Sequence, residues 1–375
     1  MNLSEDTHLT LNMIEEAAAS LLKPDAALAR AARNADTDYD TDTWQNMTSQ
    51  GWLDILRLDD PASDGVGVRA AVMVAERLGY AGRPQPFIGV AMMAMQCLMQ
   101  CSNKALAEEL MSGIAESGKL VGLAWQSYAG ALDANTSAIT ARLEGGNAVL
   151  NGRARFVLAH GADTFIVAAR AGDETVLCAV PREKLALEHE EMADGGRSGL
   201  LALDNVTVAS ASILAQGAQA DQALGAAIEL GVLGTAAELL GAIDRSLDIT
   251  LDYLGTRKQF GKLIGSFQVL QHRAVDIWMQ KELTRAALKA AVTVFSDPEA
   301  TADDRRAAAS SAKARASQVA TFVTGQTIQL HGAIGFTDEY ELGAYVNRSL
   351  RLAAQLGNAA LHRQRYGTLV KVQEQ

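Results

Sequence analysis

The spacing of apolar and polar positions along the 375 residues changes twice. Up to about residue 118, apolar residues recur at intervals of three and four, the period of a helix that buries one face. The pattern predicts helices over Ile14–Ala32 (broken at Pro24-Asp25), Trp44–Leu53, Val68–Leu78, Val90–Met99 and Ala105–Ile114, with a loop at Pro84 and Pro86. From 119 to 217 the period shortens. Short apolar runs at Leu120–Trp125, Ala138–Leu143, Ala148–Val157, Thr164–Ala169, Thr175–Val180 and Gly199–Val208 read as strands. The turns Glu144–Asn147 and Arg170–Glu174 read as hairpins, which predicts an antiparallel barrel or sandwich. From 218 to 375 the helical period returns in four long stretches: Asp221, as a cap, to Leu254; Val269–Ser296, stopped by Asp297-Pro298; Ala302–Leu330; and Glu341–Tyr366. Four such helices suggest an antiparallel bundle. The expected class is α+β, with a helical domain 1–118, a β domain 119–217 and a four-helix bundle 218–375.

Composition agrees and narrows the function. Alanine, the best helix former, occurs 67 times and proline 6 times. The formal charge of −11 has the wrong sign for a nucleic-acid binder, and 49% apolar residues is too many for disorder. No apolar run approaches the ~18 residues of a membrane span. The first residues carry acids and no basic stretch, unlike a signal peptide. With three cysteines, this favours a reducing cytoplasm.

Several signals for chemistry are weak. Gly65-Val-Gly-Val-Arg-Ala70 has the spacing of a dinucleotide loop, but an acidic turn precedes it where a strand is needed. Cys97 and Cys101 share a helix face without further metal ligands and read as core. The six histidines form no metal or triad spacing, and no metal site is expected. His189-Glu-Glu-Met192 reads as a solvated edge.

The segment 257–272, RKQFGKLIGSFQVLQH, is more specific. It joins two long helices and combines a fixed cation, an aromatic face, two glycines and spaced amides. Arg257 offers planar donors to a phosphate or carboxylate, Phe260 a stacking face, and Gln268 and Gln271 donors at a helix start. Arg257 could equally satisfy carbonyls at the end of its own helix. This stretch resembles the R-x-x-F-G-x-x-I/L-x-x-x-Q pattern of the acyl-CoA dehydrogenase family. A second segment, 329–340, QLHGAIGFTDEY, is similar to that family's Q-x-x-G-G-x-G-[FY]-x-x-E-[YF]. The order of helical, β and helical regions matches too, so the resemblance covers nearly the whole chain.

The resemblance implies FAD as cofactor, an acyl-CoA substrate and an electron-transferring flavoprotein as acceptor. Arg257, Gln259, Phe260 and Gln268, with Gln329 and the Gly332-Ala333 turn, would contact FAD held by a neighbouring subunit, which implies an oligomer. The family's catalytic base is a glutamate at one of two positions, and here these fall on Gly231 and on Leu356 or Gly357. Glu229 and Glu238 lie near Gly231 in sequence but read as structural, since a helix turns Glu229 about 200° away and sets Glu238 about 10 Å along the axis. Around the flavin ring, Gln126 stands for a threonine and Leu158 for a hydroxyl. The chain therefore resembles the subunit without the glutamate in an α2β2 acyl-CoA dehydrogenase, with a paralogue supplying the base. The small residues at Gly231 and Gly357 would leave a vacated acyl cavity, either filled by side chains or used for bulky acyl groups. The alternatives are a homo-oligomer using Glu229, Glu238 or an acid near Asp194, and a non-catalytic scaffold.

Overall fold

The computed structural model describes residues 3–25, 27–28, 39–59, 64–337 and 340–373. Helices α1 (Glu5–Leu21), α2 (Thr41–Ser49), α3 (Val66–Ala81), α4 (Met95–Met99) and α5 (Lys104–Ser117) build the N-terminal region. α1 begins earlier than its apolar spacing predicts, because Ser4 caps it and Glu5 and Asp6 suit a helix N-terminus. The piece predicted beyond Pro24 lies largely outside the described residues. A π-helix, Ile88–Ala94, leads into α4. The glycine loop before α3 holds no anion site. Asp59 occupies that helix N-terminus itself, accepting from the Gly67 and Val68 amides at 2.7 and 3.0 Å. Cys97 and Cys101 are buried, as expected of core.

The middle region is one sheet of eight strands: β1 (Val121–Ala124), β2 (Thr140–Glu144), β3 (Asn147–Val157), β4 (Thr164–Ala171), β5 (Glu174–Pro181), β6 (Ala186–Glu191), β7 (Arg197–Val208) and β8 (Ile213–Gln216). The order is β6-β7-β3-β2-β4-β5-β8, with β1 against β4. Both hairpins form at the expected turns, and Gly145 and Gly146 take the left-handed angles that a two-residue turn needs. The sheet is mixed rather than wholly antiparallel, since β1 and β2 pair with β4 in parallel. β6 was not predicted, because the polar run ALEHEE lacks an apolar face. It is an edge strand, which explains the solvated reading of His189 to Glu191.

In the C-terminal region, α6 (Gly217–Thr256) runs for 40 residues, about 60 Å. It starts before Asp221, whose carboxylate accepts from Thr175 Oγ1 at 2.6 Å instead of capping the helix. α6 has the length and hydropathy of a membrane span, but 94% of its apolar window is buried in the protein. α7 (Gln268–Phe295) and α8 (Ala302–His331) follow as predicted. The fourth predicted helix is two, α9 (Leu342–Ala354) and α10 (Ala359–Gln373). They part at a turn where Leu356 and Gly357 take φ of 52° and 94°. Helical periodicity cannot register such a break, because the apolar spacing resumes beyond it. α3 crosses α6 at two glycines. A Cβ on Gly79 would fall on the Glu238 carbonyl, and one on Gly241 on the Glu76 carbonyl.

Candidate functional site

The two positions for a base converge in space. A Cβ on Gly231 would lie 3.1 Å from Leu356 Cδ1, although α6 and the α9–α10 turn are far apart in sequence. The space between them is filled. Met93, from the π-helix, places its sulfur 2.5 Å from where that Cβ would be, and Met92 does the same at Gly234 one turn along. At Gly357 the His362 ring and Leu361 stand 2.9 Å from a Cβ. Side chains therefore occupy the volume that the small residues were expected to vacate.

Among the described residues, the three acids considered as bases are all engaged by arginines. Glu229, 4% exposed, is gripped by both terminal nitrogens of Arg365, one at 2.8 Å. Burial raises its carboxyl, and Arg365 pulls it back. Glu238, also 4% exposed, accepts from Arg348 Nε at 2.8 Å and from Nη2. Asp194 accepts from Arg348 and Arg351 at 2.9 and 3.0 Å. Burial alone would raise the Asp194 carboxyl, but the two guanidiniums bring it down to about 2. Each is an acceptor held in an arginine fork.

Sequence reasoning missed this network and its companion under the α9–α10 turn. The buried Lys313 ammonium donates to the Gly357 carbonyl at 2.8 Å, to Ser317 Oγ at 2.9 Å and to the Ala353 carbonyl at 3.2 Å. Burial lowers it to about 7. His362 Nε2 meets the Leu356 carbonyl at 2.8 Å. The only sequence signal was a lysine inside an alanine-rich helix at a position where the helical period calls for an apolar residue.

These groups set an acid limit on stability. Burial, reinforced by the Lys313 charge, lowers His362 from 6.5 to about 3. Burial and then Arg197, His189, Arg182 and Arg351 lower His160 to about 4. The unfolded chain therefore takes up protons that the folded chain refuses, so stability is present above pH 6.5 and falls as pH drops towards 3–4. Asp194 adds a further loss between 3.8 and about 2. The expected slope is at most about 1.4 kcal/mol per pH unit for each group. Urea unfolding from pH 7.5 to 4.5 measures it, and a flat profile would contradict the burial of these rings.

The predicted cofactor residues have a different character. A two-residue hairpin, β9 (Lys258–Gln259) and β10 (Lys262–Leu263), projects from the end of α6. Phe260 and Gly261 form its turn with φ of 53° and 77°. That angle strains a phenylalanine, and the ring is 90% exposed. Arg257, Gln259 and Gln268 are exposed beside it, and Gln329, Gly332 and Ala333 are exposed at the end of α8. Tyr253, stacked on His331 with ring centres 4.5 Å apart, brings the two ends together. Among the described residues, none pairs with the Arg257 guanidinium. Next to this cluster, Val275, Trp278, Met279 and Leu283 of α7 are each more than 40% exposed, and hydrogen bonds Arg273–Gln326 and Arg315–Gln280 set Phe322 of α8 alongside them.

Gln126 does not join this group. It is buried and donates to the Ala131 carbonyl at 3.2 Å. Leu158 offers no donor, and the cavity beside it measures about 60 Å³. That is room for about four water-sized atoms, far less than a fused three-ring system. The residues present therefore fit the anionic outer half of an FAD approached from outside, through Arg257, Gln259, Gln268 and Phe260. They do not fit the flavin ring.

A helical region, a mixed sheet and a helical bundle, with this cation–aromatic hairpin between the bundle's first two helices, make up the acyl-CoA dehydrogenase fold. Residues 221–368 match the family "Acyl-CoA dehydrogenase, C-terminal domain". Acyl-CoA dehydrogenase IpdE2 of Mycobacterium tuberculosis is 28% identical over 343 residues, covering 90% of each chain. The steroid acyl-CoA dehydrogenase variant Tcur3481-Tcur3483 superposes with a TM-score of 0.84 at 24% identity over 98% of this chain and 99% of that one. The ChsE4-ChsE5 complex of Mycobacterium tuberculosis gives 0.83 at 21% over 99% and 98%. The chain thus resembles the acyl-CoA dehydrogenases along nearly its whole length, and residues 221–368 match the family's C-terminal domain.

Proposed function

We propose that this chain is the subunit without the glutamate in a two-subunit acyl-CoA dehydrogenase. A paralogue supplies the base and the flavin-ring pocket. This chain supplies Arg257, Gln259, Phe260 and Gln268 to that FAD across the interface. The observation that carries the reading is the hairpin: Phe260 is held at a strained φ of 53° and is 90% exposed, beside an Arg257 guanidinium that has no partner among the described residues. The exposed apolar face of α7 and α8 supplies a surface for the partner, and the structural relative ChsE4-ChsE5 is a complex of two proteins. FAD, when bound, would supply the hydride acceptor for α,β-dehydrogenation of an acyl-CoA. An electron-transferring flavoprotein is the proposed acceptor and the cytoplasm the proposed compartment. A homo-oligomer with its own base is disfavoured, since Glu229, Glu238 and Asp194 are all engaged by arginines.

Co-expression with a paralogous subunit tests this. One FAD per two chains is expected, and one per chain refutes the division. Arg257→Ala should weaken FAD retention in the complex about tenfold or more, on the scale of one charge-assisted hydrogen bond, without changing the melting temperature of the isolated chain. Unchanged flavin content removes the interface role.

A further inference from the structure

The face proposed to meet FAD is made of two pieces, the hairpin that follows α6 and the turn that follows α8. The hairpin pairs two residues with two, too few to hold a position in water unaided. The turn begins at Gly332, whose φ is 67° and where a side chain would meet open space. A bound group that spans both pieces needs them at a fixed separation, because any ordering left until binding is subtracted from affinity.

Tyr253, in the last turn of α6, is bonded to both. Its carbonyl accepts from the Arg257 amide at 2.9 Å, where the hairpin starts. Its hydroxyl donates to the His331 carbonyl at 3.3 Å, beside Gly332. Its ring lies on the His331 imidazole, with centres 4.5 Å and planes 25° apart. Tyr340 closes the cluster, its ring centre 5.2 Å from His331 and 6.4 Å from Tyr253. His331 is 4% exposed and fixed from behind, since Nδ1 donates to the Thr327 carbonyl at 2.8 Å. Gly335 packs so closely that a Cβ on it would stand 3.1 Å from the His331 Cβ. His331 Nε2 is buried without a hydrogen-bond partner among the described residues. An aliphatic side chain would fill this place with no unsatisfied nitrogen. What the imidazole adds is a flat face that stacks on Tyr253.

We propose that Tyr253 and His331 are positioning residues: their stack sets the separation between Arg257 and the Gly332-Ala333 turn, so that both reach one FAD of the partner subunit. Each acts through the exposed residues beside it. This role presupposes the proposed division of labour, in which the partner holds the cofactor.

A double-mutant cycle in the co-expressed complex tests this, with the FAD dissociation constant as readout and the melting temperature of the isolated chain as the check on folding. His331→Leu should weaken FAD binding about threefold to tenfold, the span expected of one aromatic pair. His331→Phe, which keeps a flat ring, should restore binding to within about twofold. In the Arg257→Ala background, His331→Leu should add less than about twofold, because the residue it positions is gone. A full, additive loss in that background overturns the proposal, as does a loss that His331→Phe fails to restore. Unchanged affinity in His331→Leu, with FAD still lost in Arg257→Ala, overturns the positioning role and leaves the division of labour standing. Unchanged affinity in Arg257→Ala itself removes both. If His331→Leu does not fold, Tyr253→Leu takes its place in the same cycle. Failure of both to fold makes the pair a part of the core and overturns the proposal.

Discussion

Arg348→Met is expected to destabilise the chain by about 3–5 kcal/mol, the range for removing one partner of a buried ion pair. Arg348 bonds Glu238 through Nε and Nη2 and Asp194 through Nη1. Both carboxylates are at most 5% exposed. Asp194 keeps Arg351 in the variant, whereas Glu238 keeps no other bonded partner among the described residues. The cost is therefore mainly that of a buried, uncompensated Glu238 charge. This makes the prediction specific: Arg348→Met with Glu238→Gln should recover more than half of the loss, because the stranded charge is gone. Urea denaturation of the two variants measures it. A loss below about 1 kcal/mol for the single variant, or no recovery in the double, would show that the network does not hold α6, α9 and the Met192–Arg197 turn together.

Gly241→Ala is expected to cost about 3 kcal/mol or to prevent folding, at or beyond the upper end of the range for overpacking. The added carbon would coincide with the Glu76 carbonyl and stand 2.6 Å from the Tyr80 amide nitrogen. Both are main-chain atoms of α3, so no side-chain rotation relieves the clash and the helices must separate. Gly231→Ala is the control. There the obstacle is the tip of Met93, a flexible side chain, and the loss should be much smaller. Thermal unfolding of both compares them directly. Equal losses would mean that the α3–α6 crossing tolerates a wider spacing.

The sites that matter were unequally legible in sequence. The Arg257 hairpin was readable because its residues act locally: a cation, an aromatic and a glycine within five positions fix their own turn. That Gly231 and Leu356 or Gly357 stand where the resemblance puts a base was also readable, since it depends on residue identity alone. What fills the space was not. Met93 and Leu356 lie far apart in the chain, on segments that only α6 brings together. The same holds for Asp194, Glu238 and Arg348, drawn from a turn of the sheet region and two helices.

The sequence by itself determined the order of helical, β and helical regions, the acyl-CoA dehydrogenase resemblance and the cation–aromatic segment that carries it, because periodicity and local motifs are properties of consecutive residues. The tertiary structure alone decided that side chains fill the space beside Gly231 and Gly357 and that the nearby acids are taken by arginines. Each of these depends on distances between side chains remote in sequence, which packing fixes and local propensity does not.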